Sequence, residues 1–316
     1  MKTPTPRGPL STAIASTLAG DPTDRRVDLP AADGPDDAGI ALWTLQELHY
    51  RGFDGVDDGW EWHPDLLAAR AGLERDLEAR LRARWPGPAS DRTGDTATDL
   101  FALVEADDGP SLARHLQKHG TADQARDLLK QRTVYHLKEA DPTAWVVPRL
   151  STRVKAALVE VQFDEYGAGD PERLHHHLFA RGLAASGLSA DYGTYVDDAL
   201  PEVIEQNTVL SMFGLHRRLR AAALGHFAAV EATSSLPSRQ LAQALRNLGL
   251  AEEMALYYDE HVEADAVHEQ LAARDVCGVL VEEEPHLADD VLFGAWACLD
   301  LEARTGHAML RRWDVA

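Results

Sequence analysis

From residue 38 onward, apolar side chains return every three or four positions, the period of an amphipathic helix. Leu42, Leu45 and Leu48 with His49 form the first such run, closed by Gly52 and Gly55 ahead of Trp60 and Trp62. Pro64 opens a second, with Leu66, Leu67, Leu73, Leu77 and Leu81 on one stripe and Trp85-Pro86-Gly87-Pro88 as its stop. The stretch PGPASDRTGDT over 86–96 reads as a linker. Further helices are predicted at about 97–107, 110–118 and 121–137, the last carrying Ala125, Leu128, Leu129 and Tyr135 on one side. Pro142 and Pro148 interrupt the chain before Leu150 to Phe163 restores an apolar stripe. Gly167-Ala168-Gly169-Asp170-Pro171 stops that helix and offers Asp170 as N-cap, with Pro171 at the first position of the next. Helices follow near 171–187, 191–198, 201–230, 237–247, 251–273, 276–282 and 285–313. Period-two alternation is almost absent, so the pattern predicts an all-α fold, a helical bundle with satellite helices.

Residues 1–38 break this regularity. They are rich in Pro, Gly, Asp, Ser and Thr, and burial there does not offset the entropy of ordering the backbone, so a flexible N-terminal arm is expected. Residues 39–130 then form an N-terminal helical region and 131–316 the bundle proper. A chain of 316 residues, 45% hydrophobic and 26% charged, can build a sizeable core, which excludes wholesale disorder. Acidic residues outnumber basic ones by 52 to 31, a balance that repels phosphate backbones and anionic membranes, so neither nucleic acid nor membrane is expected as a partner. The N-terminus shows no secretory h-region and no later stretch reaches about 18 apolar residues. With two cysteines, Cys277 and Cys298, outside any C-x-x-C pairing, a cytoplasmic protein is expected.

Candidate chemistry concentrates in a few segments. At about 100° per residue, Asp265 lies about 40° from His261 and His268 about 20° to its other side, so three metal-capable side chains share one helical stripe. Glu260, Glu263 and Glu269 occupy other faces and read as solvated charge. Glu165 ends an apolar helix and His175 follows the Gly/Pro turn, so both can approach one centre from adjacent elements; the competing pair is Glu172-x-x-His175, the i, i+3 arrangement of ferritin-like bundles. His176 and His177 read as surface groups or as groups that support the ligands from behind. Glu231 sits in the apolar run Gly225-His226-Phe227-Ala228-Ala229-Val230, where a carboxylate is expensive unless paired or coordinated. Glu139 is a weaker candidate because Lys138 and Asp141 adjoin it. Four carboxylates and three imidazoles suit two carboxylate-bridged, redox-active divalent ions; zinc takes fewer ligands, and calcium or magnesium does not favour three histidines. Iron fits best and manganese second.

The stretch Val161-Gln162-Phe163-Asp164-Glu165-Tyr166-Gly167-Ala168-Gly169-Asp170-Pro171-Glu172-Arg173-Leu174-His175, the stretch from Tyr257 to His268 with its H-x3-D-x2-H spacing, and Glu231 in its Ala/Val-rich helix resemble the iron-containing redox enzyme family, whose members are heme-oxygenase-like di-iron oxidases and oxygenases. The resemblance spans about residues 39–313 and includes Glu47-Leu48-His49-Tyr50-Arg51-Gly52-Phe53. It implies a heme-oxygenase-like bundle with additional N-terminal helices that close the cavity and make dimer contacts. It implies no heme, but two irons, the second often weakly held, with dioxygen as co-substrate. The ligand set it implies is Glu139, Glu165, His175, Glu231, His261, Asp265 and His268, with Glu165 favoured over Glu172. Ala168, where many relatives carry a second glycine, is a departure that touches no ligand. The implied partners are a small-molecule substrate and a second copy of the chain. The third histidine looks most like the branch that N-oxygenates amines, guanidines or amino-acid-like metabolites in specialised biosynthesis. Oxidative C–C cleavage or decarboxylation of an amino or fatty acid ranks second, and a non-catalytic iron-binding bundle is the reading from outside enzymology. A thiaminase-like relative would need a nucleophilic cysteine, whereas Cys277 and Cys298 stand in apolar contexts suited to packing. Pocket residues are not resolved by the sequence: Arg217, Arg218 and Arg220 read as solvated helix-end charges, Asn207, Thr208 and Thr233 as candidate cavity residues, and Met212 and Phe213 as core.

Overall fold

A computed structural model describes residues 1–22, 26–89 and 92–315, with the side chains of 263–267 outside the description. The helices in chain order are α1 (Pro9–Leu18), α2 (Pro35–Glu47), α3 (Pro64–Arg84), α4 (Thr96–Glu105), α5 (Leu112–His119), α6 (Ala122–His136), α7 (Asp141–Ala144), α8 (Thr152–Glu165), α9 (His175–Ala185), α10 (Pro201–Leu215), α11 (Arg220–Asn247), α12 (Glu252–Gln270), α13 (Val279–Glu283) and α14 (Ala288–Arg312). No strand occurs among the described residues, so the all-α expectation holds. None of the described helices is long and apolar enough to cross a membrane.

The axis of the bundle is α11, 28 residues long, which packs against α12, α14 and α5. Its first half is buried through Ala221, Ala222, Ala223, Ala228 and Ala229, small side chains that let neighbouring backbones come close. At the crossing with α14 this becomes a strict requirement: a Cβ on Gly225 would fall on the Val291 carbonyl, and one on Gly294 on the Ala222 carbonyl. The sequence predicted a break between 230 and 237, yet α11 runs straight through Pro237. The Thr233 hydroxyl bonds to the Ala229 carbonyl and Ser234 to that of Glu231, tying down the turn in which Pro237 supplies no amide. The predicted helices 251–273 and 276–282 are likewise one continuous run, in which a π-helical segment, Leu271–Gly278, carries α12 into α13.

Two other expectations also fail. Asp170 caps only a short 3-10 turn, Pro171–Arg173, by accepting from the Glu172 amide, and α9 begins afresh at His175. The N-terminal arm is not loose where it is described. Leu10, Ile14 and Leu18 lie on one face of α1 and are buried with Ile40, Trp43 and Ile204. Asp37, from the next helix, accepts bonds from the Leu10 and Ser11 amides at 3.0 and 2.9 Å and from the Ser11 hydroxyl. Burial acts to raise the Asp37 pKa, but these donors outweigh it and hold the carboxylate below its usual range. A cap supplied by a different helix leaves no local signal in the sequence.

Candidate metal centre

The side chains that the sequence singled out come from five elements. Glu139 stands in the turn after α6, Glu165 is the last residue of α8, His175 the first of α9, Glu231 lies mid-way along α11, and His261 and His268 lie two turns apart on α12. They converge in two triads. Glu139, His175 and His261 offer ligand atoms within 4.8 Å of one another, and so do Glu165, Glu231 and His268. Glu165 belongs to both neighbourhoods: its Oε2 lies 3.1 Å from His175 Nδ1 and its Oε1 4.0 Å from His268 Nδ1. Glu172, the alternative, is turned outward and meets His177 instead. Asp265 falls among the side chains outside the described set.

Each imidazole on α12 is oriented by a bond on its far nitrogen. His261 Nδ1 donates to the Tyr257 carbonyl at 2.8 Å, leaving Nε2 facing Glu139 Oε1 at 3.2 Å. His268 Nε2 donates to Asp164 at 3.1 Å, leaving Nδ1 facing Glu231 Oε2 at 3.5 Å. That is how metal-binding histidines are held in one tautomer. Glu139 accepts from the Tyr257 hydroxyl at 2.7 Å and from His136 Nδ1 at 3.0 Å. Burial acts to raise the Glu139 pKa, but the adjoining His136, His175 and His261 imidazoles hold it well below the usual range. Burial pushes all three cluster histidines down, yet the carboxylates more than reverse it, holding His175 up to about 11 and His261 and His268 up to about 9. His136 goes the other way, because desolvation dominates and keeps it neutral.

The donor set fits a cation. His175 Nδ1 and His268 Nδ1 are buried, close to carboxylate oxygens and without hydrogen-bond geometry to any of them. Ring nitrogens aimed between carboxylates, with no hydrogen bond made, are arranged for an ion that accepts several lone pairs at once.

Lys138 does not weaken Glu139 as its adjacency in sequence suggests. Its ammonium turns away, 2.7 Å from the buried Glu47 carboxylate and over the Tyr50 ring, while Tyr192 donates to the same Glu47 oxygen. This pair ties α2 to the segment that carries Glu139. Asp141 is taken up by the Tyr166 hydroxyl. Sequence reasoning passed over Asp164, His136 and Tyr257 as supports, although Asp164 and Tyr257 both lie inside the quoted motifs.

Beside the triads is a cavity of about 490 Å³, whose wall includes Glu139, Glu165, Glu231 and His261. Asn207 and Thr233 line it as expected, whereas Thr208 instead bonds the Glu205 carbonyl. Arg218 and Arg220 pair with Glu78 and Glu284 away from it, and Met212 and Phe213 are core. The buried Cys277 thiol donates to the Leu224 carbonyl, and desolvation pushes it up to about 12, which leaves it without the thiolate that nucleophilic chemistry needs.

A family model described as iron-containing redox enzyme matches residues 126–303. No curated protein matches the chain. Among solved structures, it is similar to a CADD-like protein of unknown function from Nostoc punctiforme at 15% identity and a TM-score of 0.49, with 76% of this chain and 97% of that one covered.

Proposed function

The chain belongs to the iron-containing redox enzyme family, and on that premise we propose that it is a non-heme di-iron oxygenase that N-oxygenates a small amine, guanidine or amino-acid-like metabolite. Glu139, His175 and His261 would hold one iron, Glu231 and His268 the other, with Glu165 shared. The observation that carries this reading is the position of Glu165, which directs one oxygen at each triad. Iron held by these residues would supply the electrons needed for chemistry with dioxygen. His268 is what favours nitrogen as the atom oxidised, since the third histidine is the feature shared with the N-oxygenating branch.

The protein's own part is to orient, to dehydrate and to hold protons in place. Tyr257 and His136 fix the Glu139 carboxylate, so its free oxygen faces His261 and His175. The Tyr257 carbonyl and Asp164 keep the His261 and His268 lone pairs turned inward. Leu128, Val203, Leu210 and Val230 give the cavity an apolar wall that excludes water from the reacting end of a bound metabolite.

Anaerobic loading with ferrous iron followed by exposure to oxygen tests the proposal. Two irons per chain and dioxygen consumption stimulated by an amine or amino acid are expected. Protein that takes up no iron, or takes it up without consuming oxygen, would overturn it in favour of a metal-free or storage bundle.

A further inference from the structure

Among the described candidate ligands, Glu165, His175, Glu231, His261 and His268 stand in helices, whose own hydrogen bonds fix the backbone beneath them. Glu139 does not. α6 ends at His136, and residues 137–140 are an irregular turn. A carboxylate carried on such a backbone keeps its place only if other parts of the chain hold the turn.

The holding groups come from residues 47–51, in the stretch Glu47-Leu48-His49-Tyr50-Arg51. Beyond the last residue of α6, the Leu137 carbonyl accepts a bond from Arg51 Nη2 at 2.9 Å, which closes a helix end that has no amide of its own to offer. The same guanidinium lies 3.9 Å from Asp141, on the far side of Glu139. Between these points Lys138 is 2% exposed, with its ammonium 2.7 Å from Glu47 Oε2 and 4.3 Å from the centroid of the Tyr50 ring. The Tyr192 and Trp43 rings close the cage at 5.8 and 5.9 Å. Residues on both sides of Glu139 are therefore gripped from one short segment. Glu47, Tyr50 and Arg51 all precede residues 126–303, the stretch that matches the family model. A buried ion pair adds little net stability, because desolvation offsets most of its attraction. What this pair fixes is direction: the ammonium next to Glu139 in sequence is turned to Glu47, and the Glu139 carboxylate is left to His175 and His261.

We infer that Glu47, Tyr50 and Arg51 are positioning residues of the metal centre, which hold the 137–141 turn so that Glu139 meets His175 and His261. The N-terminal region is then a working part of the site rather than an appendage to it. The inference rests on the metal centre of the function proposed above and adds to it the groups that set one of its ligands.

The test uses the full-length protein with three changes: Arg51→Met, Arg51→Lys, and Glu47→Gln combined with Lys138→Met. The combined change removes both charges of the buried pair, so neither is stranded. Each is made in a His268→Ala and in a His261→Ala background, so that the two triads are read separately. Ferrous affinity is measured anaerobically against a chelator of known strength, cobalt(II) spectra report the ligand geometry, and thermal melts report stability. With the Glu139 triad intact, Arg51→Met and the combined change should weaken iron binding by about tenfold to a hundredfold and shift the cobalt spectrum. Arg51→Lys, which keeps a cation near the carbonyl, should lose less. With the Glu231 and His268 triad intact instead, all three should stay within about twofold of their parent. Unchanged iron affinity and cobalt spectrum at the Glu139 triad would overturn the inference, and so would equal losses at both triads that follow the melting temperature, the mark of a merely structural role. Should the combined change fail to fold, Arg51→Met decides alone. Oxygen uptake of iron-loaded wild type is read alongside. Wild type that binds metal but consumes no oxygen fails the proposed reaction and not this assignment, whereas wild type that binds no metal fails both.

Discussion

The two triads have similar chemistry and different support. Around Glu139, His175 and His261, every bracing group is interior: the Tyr257 hydroxyl, the His136 ring tilted against Phe179, and behind Glu139 the buried Lys138–Glu47 pair. Around Glu165, Glu231 and His268, the partner that orients the imidazole is Asp164, whose side chain is 54% exposed. Hydrogen bonds in a dry, low-dielectric setting hold a ligand more firmly than one reached by water and salt. His268 also lies only three residues before the π-helical segment at Leu271, where the backbone leaves the α-helical register. The difference teaches that one half of the centre is pre-organised and the other is set by a surface carboxylate, so iron should bind in two unequal steps, first at Glu139, His175 and His261.

The largest effect is expected at the side chain the halves share. Glu165→Ala should abolish stoichiometric loading of two irons and lower dioxygen consumption by more than about a hundredfold, beyond what loss of a bracing partner costs; iron counting and an oxygen electrode check it. A variant that still binds two irons would show that the halves are independent. Next come the two α12 histidines. His261→Ala and His268→Ala should both stop product formation with helicity intact, but His268→Ala should retain one tightly held iron and His261→Ala should lose the tight site. Equal iron retention in the two variants, read by titration with a ferrous chelator, would erase the comparison.

Smaller effects should separate the supports. Tyr257→Phe removes the donor to Glu139 and should weaken the tight site by about tenfold to a hundredfold, while Asp164→Asn should do the same to the weaker site alone. Competitive iron binding against a chelator of known affinity distinguishes them, and a crossed result would mean the triads communicate through α12.

The contrast also marks what could be read from the chain. Glu165, His175, Glu231, His261 and His268 were legible because each is a polar residue set in an apolar period or spaced along one helical face, and the structure brings them together. Asp265 was singled out in the same way and lies outside the described side chains. The supports were not legible. Nothing local distinguishes Asp164 from its neighbours until α12 is laid across α8, and Lys138 looked like a competitor for Glu139 until Glu47, 91 residues away, took it up. Helical periodicity similarly revealed the bundle but not the passage of α11 through Pro237, which rests on hydroxyl bonds within the helix, or the burial of α1, which depends on partners distant in sequence.

The smallest effect concerns the turn that joins the halves. Between Glu165 and His175 the backbone takes three successive positive φ values, 72° at Gly167, 54° at Ala168 and 86° at Gly169. A Cβ on Gly167 would collide with the Arg173 and Leu174 backbone, so that glycine is obligatory, whereas Ala168 carries its methyl in the left-handed region at a cost of about 1 kcal/mol. Ala168→Gly relieves that strain, and the greater freedom of glycine in the unfolded chain returns about 0.4–1 kcal/mol of it. The net gain should be a few tenths of a kcal/mol, a rise in Tm of about 1 °C by calorimetry. Iron binding at both triads should be unchanged, because the substitution alters the strain of the link and not its path. A shift in either iron affinity would instead show that the stiffness of this turn sets the spacing between Glu165 and His175, and that the unequal halves are tuned from the loop between them.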